Sequence, residues 1–210
     1  MIPAISIDLI LHIDQYLNIL IQNYGVLTYL VLFFIIFIET GFVVFPFLPG
    51  DSLLFIVGAL AAVGSLNLFI VIPILIVAAI SGDSVNYYLG YKIGRRAFTD
   101  KIRFLKKSYI NDSEKFYEKH GGKTIFIARF LPFIRTFAPF VAGIGKMDYK
   151  KFLGYNVSGA IVWVSAFILA GFFFGNIPII KDNMGIVLLA MIVGTIILVA
   201  FEFIKSYFKK

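Results

Sequence analysis

The sequence predicts an all-α, polytopic integral membrane protein built as an inverted repeat, in which each half is a re-entrant helical hairpin followed by a transmembrane helix. The 210 residues are 60% hydrophobic and 15% charged, with a mean hydropathy of +0.93, whereas an ordinary soluble domain is about half apolar and a quarter charged. Four uncharged stretches are each long enough to cross the roughly 30 Å hydrocarbon core of a bilayer: 15–38, 52–82, 152–180 and 183–201. A similarity between the two halves of the chain predicts the repeat.

Residues 1–22 are expected to form a short helix that lies in the membrane interface. They contain no Lys or Arg, and Asp8, His12 and Asp14 interrupt their apolar stretch. A cleavable signal peptide would need a basic start and an unbroken apolar region. An interfacial helix accommodates the polar residues better.

The distribution of charge along the chain sets the expected topology. All 19 Lys and Arg residues lie from Lys92 onward, while residues 1–91 contain five acidic residues. Segment 92–123 carries a net charge of +6 and is predicted to be cytoplasmic, because cytoplasmic loops hold the excess of Lys and Arg. The basic cluster at 146–151 and the basic C-terminus reach the same side only if 124–145 enters and leaves from the cytoplasm. Segment 124–145 is therefore predicted to be a re-entrant hairpin.

Both predicted hairpins, about 28–63 and 124–145, contain residues that break a helix. The residues expected to shape them are Pro46, Pro49, Gly50, Pro132 and Pro139. A proline inside a helix removes a hydrogen-bond donor and clashes with the preceding turn. Broken backbone at membrane depth occurs only where it is buried in protein or faces a water-filled cavity, so the hairpins should line a cavity.

The repeat is read from four matches in the same order. Phe47-Leu48-Pro49 recurs as Phe130-Leu131-Pro132 at an offset of 83, and Gly90-x-x-x-Gly94 recurs as Gly171-x-x-x-Gly175 at an offset of 81. Between them, 57–59 resembles 141–143 at an offset of 84, and 65–69 lines up with 148–152 at 83.

These matches define repeat 1 as 24–91 and repeat 2 as 124–180. Each repeat would contain one full crossing, so the second copy must be inverted relative to the first, as in many secondary transporters. Residues 183–204 form an additional C-terminal transmembrane helix outside the repeat.

Four charged residues lie within the predicted hairpins: Glu39, Asp51, Arg129 and Arg135. Each would cost about 2.5–3.5 kcal/mol if it lay alone at the bilayer centre. They must therefore pair, become neutral or face water. One hypothesis is that the arginines bind a phosphate, because the guanidinium group binds phosphate oxygens in a bidentate manner, while the acids bind a proton or cation. The alternative is a structural ion-pair cluster that locks the hairpins together.

Asp83 is a secondary candidate, since a carboxyl group within the third apolar stretch suits either a helix-packing contact or a proton relay. No metal site or cofactor is expected from a chain with no cysteine and two histidines. The sequence lacks a G-x-S-x-G elbow and a P-loop, so neither an enzyme nor an ATP-driven pump is expected. Nucleic-acid binding is not expected either, because no recognition motif accompanies the basic charge.

Two long motifs resemble the bacterial DedA family of membrane proteins. They are FIETGFVVFPFLPGDSLLF at 37–55 and YEKHGGKTIFIARFLPFIRTFAPFVAG at 117–143. The resemblance extends over roughly residues 20–180, and the family is related to the VTT (SNARE-associated) domain proteins. It implies paired re-entrant hairpins, with Glu39 and Asp51 matching the family's functional acids and Arg129 and Arg135 its functional arginines.

The resemblance also implies a function. The expected activity is that of a flippase in the bacterial cytoplasmic membrane, moving undecaprenyl phosphate or a phospholipid between leaflets with coupling to protons. The alternatives are a passive phospholipid scramblase and a structural or regulatory membrane protein. The expected partners are the lipid and protons, and the sequence leaves a homo-oligomer open.

Overall fold

The computed structural model describes residues 21, 23–41, 50–93 and 121–181, with 183, 186–187, 189–190 and 193–194. Every regular element among these residues is a helix. The helices are α1 (Leu27–Gly41), α2 (Gly50–Ala62), α3 (Leu68–Ile93), α4 (Thr124–Ala128), α5 (Pro132–Ile144), α6 (Tyr149–Phe174) and α7 (Pro178–Lys181), and a 3₁₀ turn at Gly121–Lys123 precedes α4. The all-α prediction is confirmed for this part of the chain.

Several predicted features lie outside the described residues. These are nearly all of the interfacial helix at 1–22, the hairpin residues Pro46 and Pro49, most of the basic segment 92–123 and most of the C-terminal helix 183–204.

Helix length separates two classes of element. α3 and α6 are each 26 residues long and apolar enough to cross a membrane, and such a helix measures about 39 Å. α1 and α2, with 15 and 13 residues, are apolar but shorter. A 13-residue helix is about 20 Å long, which is less than the bilayer core.

The turn between α2 and α3 has a defined local cause. Gly64 takes φ +80, its N–H donates to the carbonyl of Ala61, and the N–H of Ser65 donates to the carbonyl of Leu60. This is a Schellman motif, which satisfies the last carbonyls of α2. Asn67 then caps α3, because its Oδ1 accepts the N–H of Phe69 at 2.9 Å.

The turn between α5 and α6 repeats this arrangement. Lys146 takes φ +51, its N–H donates to the carbonyl of Gly143, and the N–H of Met147 donates to the carbonyl of Ala142. Asp148 caps α6 by accepting the N–H of Lys151 at 3.0 Å. The two capping residues, Asn67 and Asp148, are 81 positions apart.

The described residues divide into two compact units. One unit contains the described residues of 21–32, 50–73 and 164–194, so it includes all of α2 and the C-terminal part of α6. A methyl group at Gly58 would overlap the carbonyl oxygen of Ile168, and one at Gly171 would overlap that of Phe55. Glycine at these positions therefore allows the backbones of α2 and α6 to touch.

The other unit contains the described residues of 33–41, 74–93 and 121–163. Here a methyl group at Gly90 would overlap the carbonyl oxygen of Phe140, and one at Gly143 would overlap that of Tyr87. α3 and α5 thus touch through glycines in the way that α6 and α2 do. Its core also includes Tyr87, Ile125, Ala128, Ala138, Ala142 and Phe152.

The glycine contacts correspond position by position. Gly90 and Gly171 make equivalent contacts at an offset of 81, while Gly58 corresponds to Gly143 at an offset of 85. The sequence matches had aligned this second pair one residue differently, because 57–59 and 141–143 differ in the order of Ala and Gly.

Candidate functional site

Glu39 and Arg135 form a buried ion pair in the second unit. Glu39 lies in the last turn of α1, and Arg135 lies in the first turn of α5, which begins at Pro132. Arg135 Nη2 donates to Glu39 Oε1 at 2.8 Å, and the two side chains are 10% and 4% exposed. The pair joins an acid from the first predicted hairpin to an arginine from the second.

Arg129 and Asp83 form a second buried ion pair in the same unit. Arg129 caps the C-terminus of the short helix α4, and Asp83 lies on α3. Arg129 Nη2 donates both to Asp83 Oδ2 and to Asn156 Oδ1, and the Arg129 and Asp83 side chains are 2% and 3% exposed. Asn156 is itself fully buried on α6 and donates to the carbonyl of Ile80 at 3.1 Å.

One tryptophan connects the two pairs. The guanidinium carbon of Arg135 lies 5.0 Å from the centre of the Trp163 ring, and that of Arg129 lies 5.9 Å from it. Both distances allow a cation–π interaction, which contributes about 2 kcal/mol when the groups are desolvated. Trp163 is fully buried on α6. We refer to Glu39, Asp83, Arg129, Arg135, Asn156 and Trp163 as the charge cluster.

A buried amide lies beside the charge cluster. Asn86, one helical turn after Asp83, donates from Nδ2 to the carbonyls of Thr136 at 2.8 Å and Thr40 at 3.3 Å. The carbonyl of Thr40 is one of the last four of α1, and these carbonyls receive no N–H from within the helix. Asn86 thus joins the end of α1 to α5 next to Glu39 and Arg135.

The prolines of the second hairpin explain its local shape. Leu131 is extended, with φ −115 and ψ 99, as expected for a residue before proline. Pro132 starts α5, where a missing N–H costs nothing. Pro139 lies inside α5 and cannot donate to the carbonyl of Arg135. The extended Leu131 before Pro132 separates α4 from α5, between Arg129 and Arg135.

The charge cluster is electrically balanced, with two carboxylates and two guanidinium groups. Pairing removes much of the cost of placing these charges in a protein interior, where a charge left alone by removal of its partner destabilises a protein by about 3–5 kcal/mol. A buried ion pair can nevertheless exchange partners, because a phosphate offers an arginine the same geometry as a carboxylate. The arrangement is therefore suited to anion exchange as well as to structural locking.

The structure brings together three charged residues of the predicted hairpins, Glu39, Arg129 and Arg135, with Asp83, the secondary candidate. Asp51 lies in the other unit, in the first turn of α2, where a negative charge is favoured by the helix dipole. Gly50 is the first residue of α2. The roles of these residues stay predictions.

Sequence reasoning missed Asn86, Asn156 and Trp163. A signal for them does exist. Asn156 and Trp163 are seven residues apart and so share one face of α6, and Asp83 and Asn86 are likewise i and i+3 on α3. Polar residues repeated on one face of a membrane-length helix indicate an internal polar contact.

Comparison with known proteins gives a consistent result. The VTT domain family model matches residues 48–173. The chain is 50% identical to Protein DedA of Escherichia coli K12 over 202 residues, covering 95% of this chain and 92% of that protein. It is 43% identical to an uncharacterized membrane protein of Mycobacterium leprae (75% and 71% covered) and 35% identical to the inner membrane protein YqjA of E. coli (72% and 69% covered). No solved structure matches the chain.

Proposed function

The chain belongs to the DedA family of VTT-domain membrane proteins, and from this premise we propose that it is a flippase, which moves a phosphate-bearing lipid between the two leaflets. Arg129 and Arg135 would supply the positive charge for the phosphate, and Glu39 and Asp51 would couple its movement to protons. The protein would carry out transport without chemical conversion of the lipid.

The observation that carries this proposal is the ion pair of Arg135 with Glu39. Its two side chains are almost buried, and Arg135 Nη2 and Glu39 Oε1 lie 2.8 Å apart. A lipid phosphate can take the place of the Glu39 carboxylate on Arg135, and protonation of Glu39 would favour that exchange because a neutral carboxyl group binds a guanidinium more weakly. Phosphate binding and proton binding would thereby be linked.

The proposed topology is an inverted repeat of re-entrant hairpins with the C-terminus in the cytoplasm of a bacterium. Two facts support it. α1, α2 and the apolar part of α5 are shorter than the membrane-length helices α3 and α6. The Schellman turn, the Asx cap and the glycine contact recur in each half. Recurrence of a broken hairpin in corresponding positions is typical of transporters whose substrate site lies near the bilayer midplane.

The two arginines of the charge cluster support a lipid with an accessible anionic phosphate as the substrate, because a guanidinium group binds phosphate oxygens. The family resemblance suggests undecaprenyl phosphate or a phospholipid. A phosphate monoester at the end of a lipid exposes more oxygen atoms to an arginine than the phosphodiester of a phospholipid does. This makes undecaprenyl phosphate the first candidate.

The test is a flipping assay in proteoliposomes with undecaprenyl phosphate, phosphatidylethanolamine and phosphatidylglycerol, each compared with empty vesicles. We expect the wild-type protein and the Gly154→Ala variant to move at least one of them, and Glu39→Gln and Arg135→Ala to be impaired. Gly154 is a suitable control because a methyl group there meets no atom within 4 Å. Movement of no lipid above the empty-vesicle rate would contradict the proposal, and transport unchanged after the proton gradient is abolished would favour a passive scramblase.

A purely structural function is the second candidate, since both arginines of the charge cluster are already bound to carboxylates within the protein. If these charges serve only stability, Arg135→Ala should lower the amount of folded protein in proportion to any loss of transport. A folded Arg135→Ala protein that moves no lipid would exclude a purely structural function of these charges.

A further inference from the structure

The two hairpin arginines differ in their surroundings, and on the basis of the proposed function we propose that they have different tasks. Arg135 is the arginine that exchanges its carboxylate for the lipid phosphate. Arg129 is a positioning residue that stays bound to Asp83 and Asn156 and holds the second hairpin and its positive charge in place.

Arg129 is held from two helices. One nitrogen, Nη2, donates to Asp83 on α3 and to Asn156 on α6. The orientation of the Asn156 amide is fixed, because its Nδ2 donates to the carbonyl of Ile80 and its Oδ1 must therefore face the guanidinium. Arg129 cannot leave without exposing two buried acceptors to an apolar interior.

Gly159 adds a steric constraint on Arg129. A methyl group at this position of α6 would lie 2.8 Å from Arg129 Cδ and 3.2 Å from Nε. The arginine side chain thus fills the space that a side chain at 159 would occupy. It lies directly against the helix backbone, with no room to swing toward α6.

Arg135 differs from Arg129 in its exposure and in the position of its carboxylate partner. Its side chain is 10% exposed, compared with 2% for Arg129. Its partner Glu39 lies in the last turn of α1, where the helix dipole opposes a negative charge. The dipole gives Asp83, in the middle of α3, no comparable penalty. The Glu39–Arg135 pair is therefore the one that an incoming phosphate can open at lower cost.

The experiment uses the natural fluorescence of the protein. Trp163 is the single tryptophan of the chain, and its ring centre lies 5.0 Å from the guanidinium carbon of Arg135. We would titrate the detergent-solubilised full chain with short-chain, water-soluble phosphatidic acid and follow the Trp163 emission. The wild type should show a saturable change, and Arg135→Gln should show none.

Two isosteric substitutions distinguish the tasks. Glu39→Gln removes the carboxylate that competes with phosphate, so phosphatidic acid should bind about tenfold more tightly or better, because a hydrogen bond to a charged group is lost from the unbound state. Asp83→Asn should bring no such gain, because Arg129 does not exchange partners. Equal tightening by Asp83→Asn and Glu39→Gln would overturn the division of tasks.

A second pair of variants leaves every charge in place. Gly159→Ala should displace Arg129 and weaken phosphatidic acid binding by about tenfold or more, whereas Gly154→Ala, on the same helix, should bind like the wild type. The same tenfold loss should appear when Gly159→Ala is combined with Glu39→Gln. Equal affinities of Gly159→Ala and Gly154→Ala would refute the positioning role of Arg129, even if Asp83→Asn fails to fold.

The results that would contradict the proposed function differ from those that would contradict only the division of tasks between the arginines. A wild-type protein that shows no saturable emission change and moves no lipid in vesicles has no phosphate site, and both proposals fall. A wild-type protein that binds phosphatidic acid but gives the wrong order of variants contradicts only the assignment of tasks to Arg129 and Arg135.

Discussion

Trp163 shows how one side chain within an apolar helix becomes part of a polar site. Its ring is fully buried and has the guanidinium groups of Arg129 and Arg135 within 6 Å of its centre. An aromatic face attracts a cation without needing a polar atom of its own. The ring can therefore support two arginines from within an apolar helix.

At this scale the Arg129–Asp83 pair makes a clear prediction about stability. Arg129→Leu should lower the free energy of unfolding by about 3–5 kcal/mol, because Asp83 would be left as a buried charge without its arginine. The double variant Arg129→Leu/Asp83→Leu should recover most of that loss. The measurement is unfolding by SDS titration in detergent micelles for the wild type, both single variants and the double variant.

The comparison of single and double variants contains its own control. If the loss of unfolding free energy in the double variant equals the sum of the losses in the two single variants, the two charges do not stabilise each other. The Asp83–Arg129 bond would then contribute little to the fold.

At the scale of helices, close backbone contact through glycine holds each of the short helices α2 and α5 against a membrane-length helix. Gly171 against Phe55 and Gly90 against Phe140 are equivalent contacts in the two units. Without a strong hydrophobic drive in lipid, helices associate by close packing of small residues. A side chain here would separate the helices and loosen α2 and α5, which carry Asp51 and Arg135.

These contacts predict opposite effects for one substitution at different glycines. Gly171→Ala and Gly90→Ala should each destabilise the protein by about 1–3 kcal/mol, because the new methyl group overlaps a backbone carbonyl that cannot move alone. Gly154→Ala should instead stabilise α6 by about 0.5–1 kcal/mol, since it meets no atom within 4 Å and alanine favours a helix. SDS titration would measure all three, and a stabilising Gly171→Ala would contradict the close contact.

In the turn after α5, a substitution to glycine should stabilise the protein. Lys146 has φ +51, a left-handed conformation that costs a non-glycine residue about 1–2 kcal/mol, while Gly64 occupies the equivalent turn after α2. Lys146→Gly should therefore raise the free energy of unfolding, by about 1 kcal/mol after the greater flexibility of the unfolded chain is included. Gly64→Ala is the matched control and should lower it by a similar amount.

At the scale of the whole molecule, the charge distribution and the two long helices predict an orientation in the membrane. The N-terminal 91 residues contain no basic residue, and three Lys lie between 146 and 151. Suppose that the first predicted hairpin, about 28–63, enters the membrane from outside and the second, 124–145, enters from the cytoplasm. The turns that follow α2 and α5 then lie on opposite sides of the membrane.

The absence of cysteine from the sequence makes this prediction easy to test. In intact cells a membrane-impermeant thiol reagent should label Val63→Cys, in the exposed turn after α2, and should not label Lys150→Cys at the start of α6. Lys150→Cys should be labelled only after the cells are opened. Labelling of both residues from outside would show that 124–145 crosses the membrane completely.

The sequence by itself determined the membrane class, the all-α architecture and the start of α5 at Pro132, because hydropathy, net charge and proline act on each segment locally. It also selected Glu39, Arg129 and Arg135, since a charge within an apolar stretch is visible without a structure. Only the tertiary structure decided the pairing. Glu39 and Arg135 are 96 residues apart, and Asp83 and Arg129 are 46 apart. Which carboxylate meets which guanidinium depends on the rotation and depth of packed helices, and a one-residue change in helix register turns a side chain by about 100°.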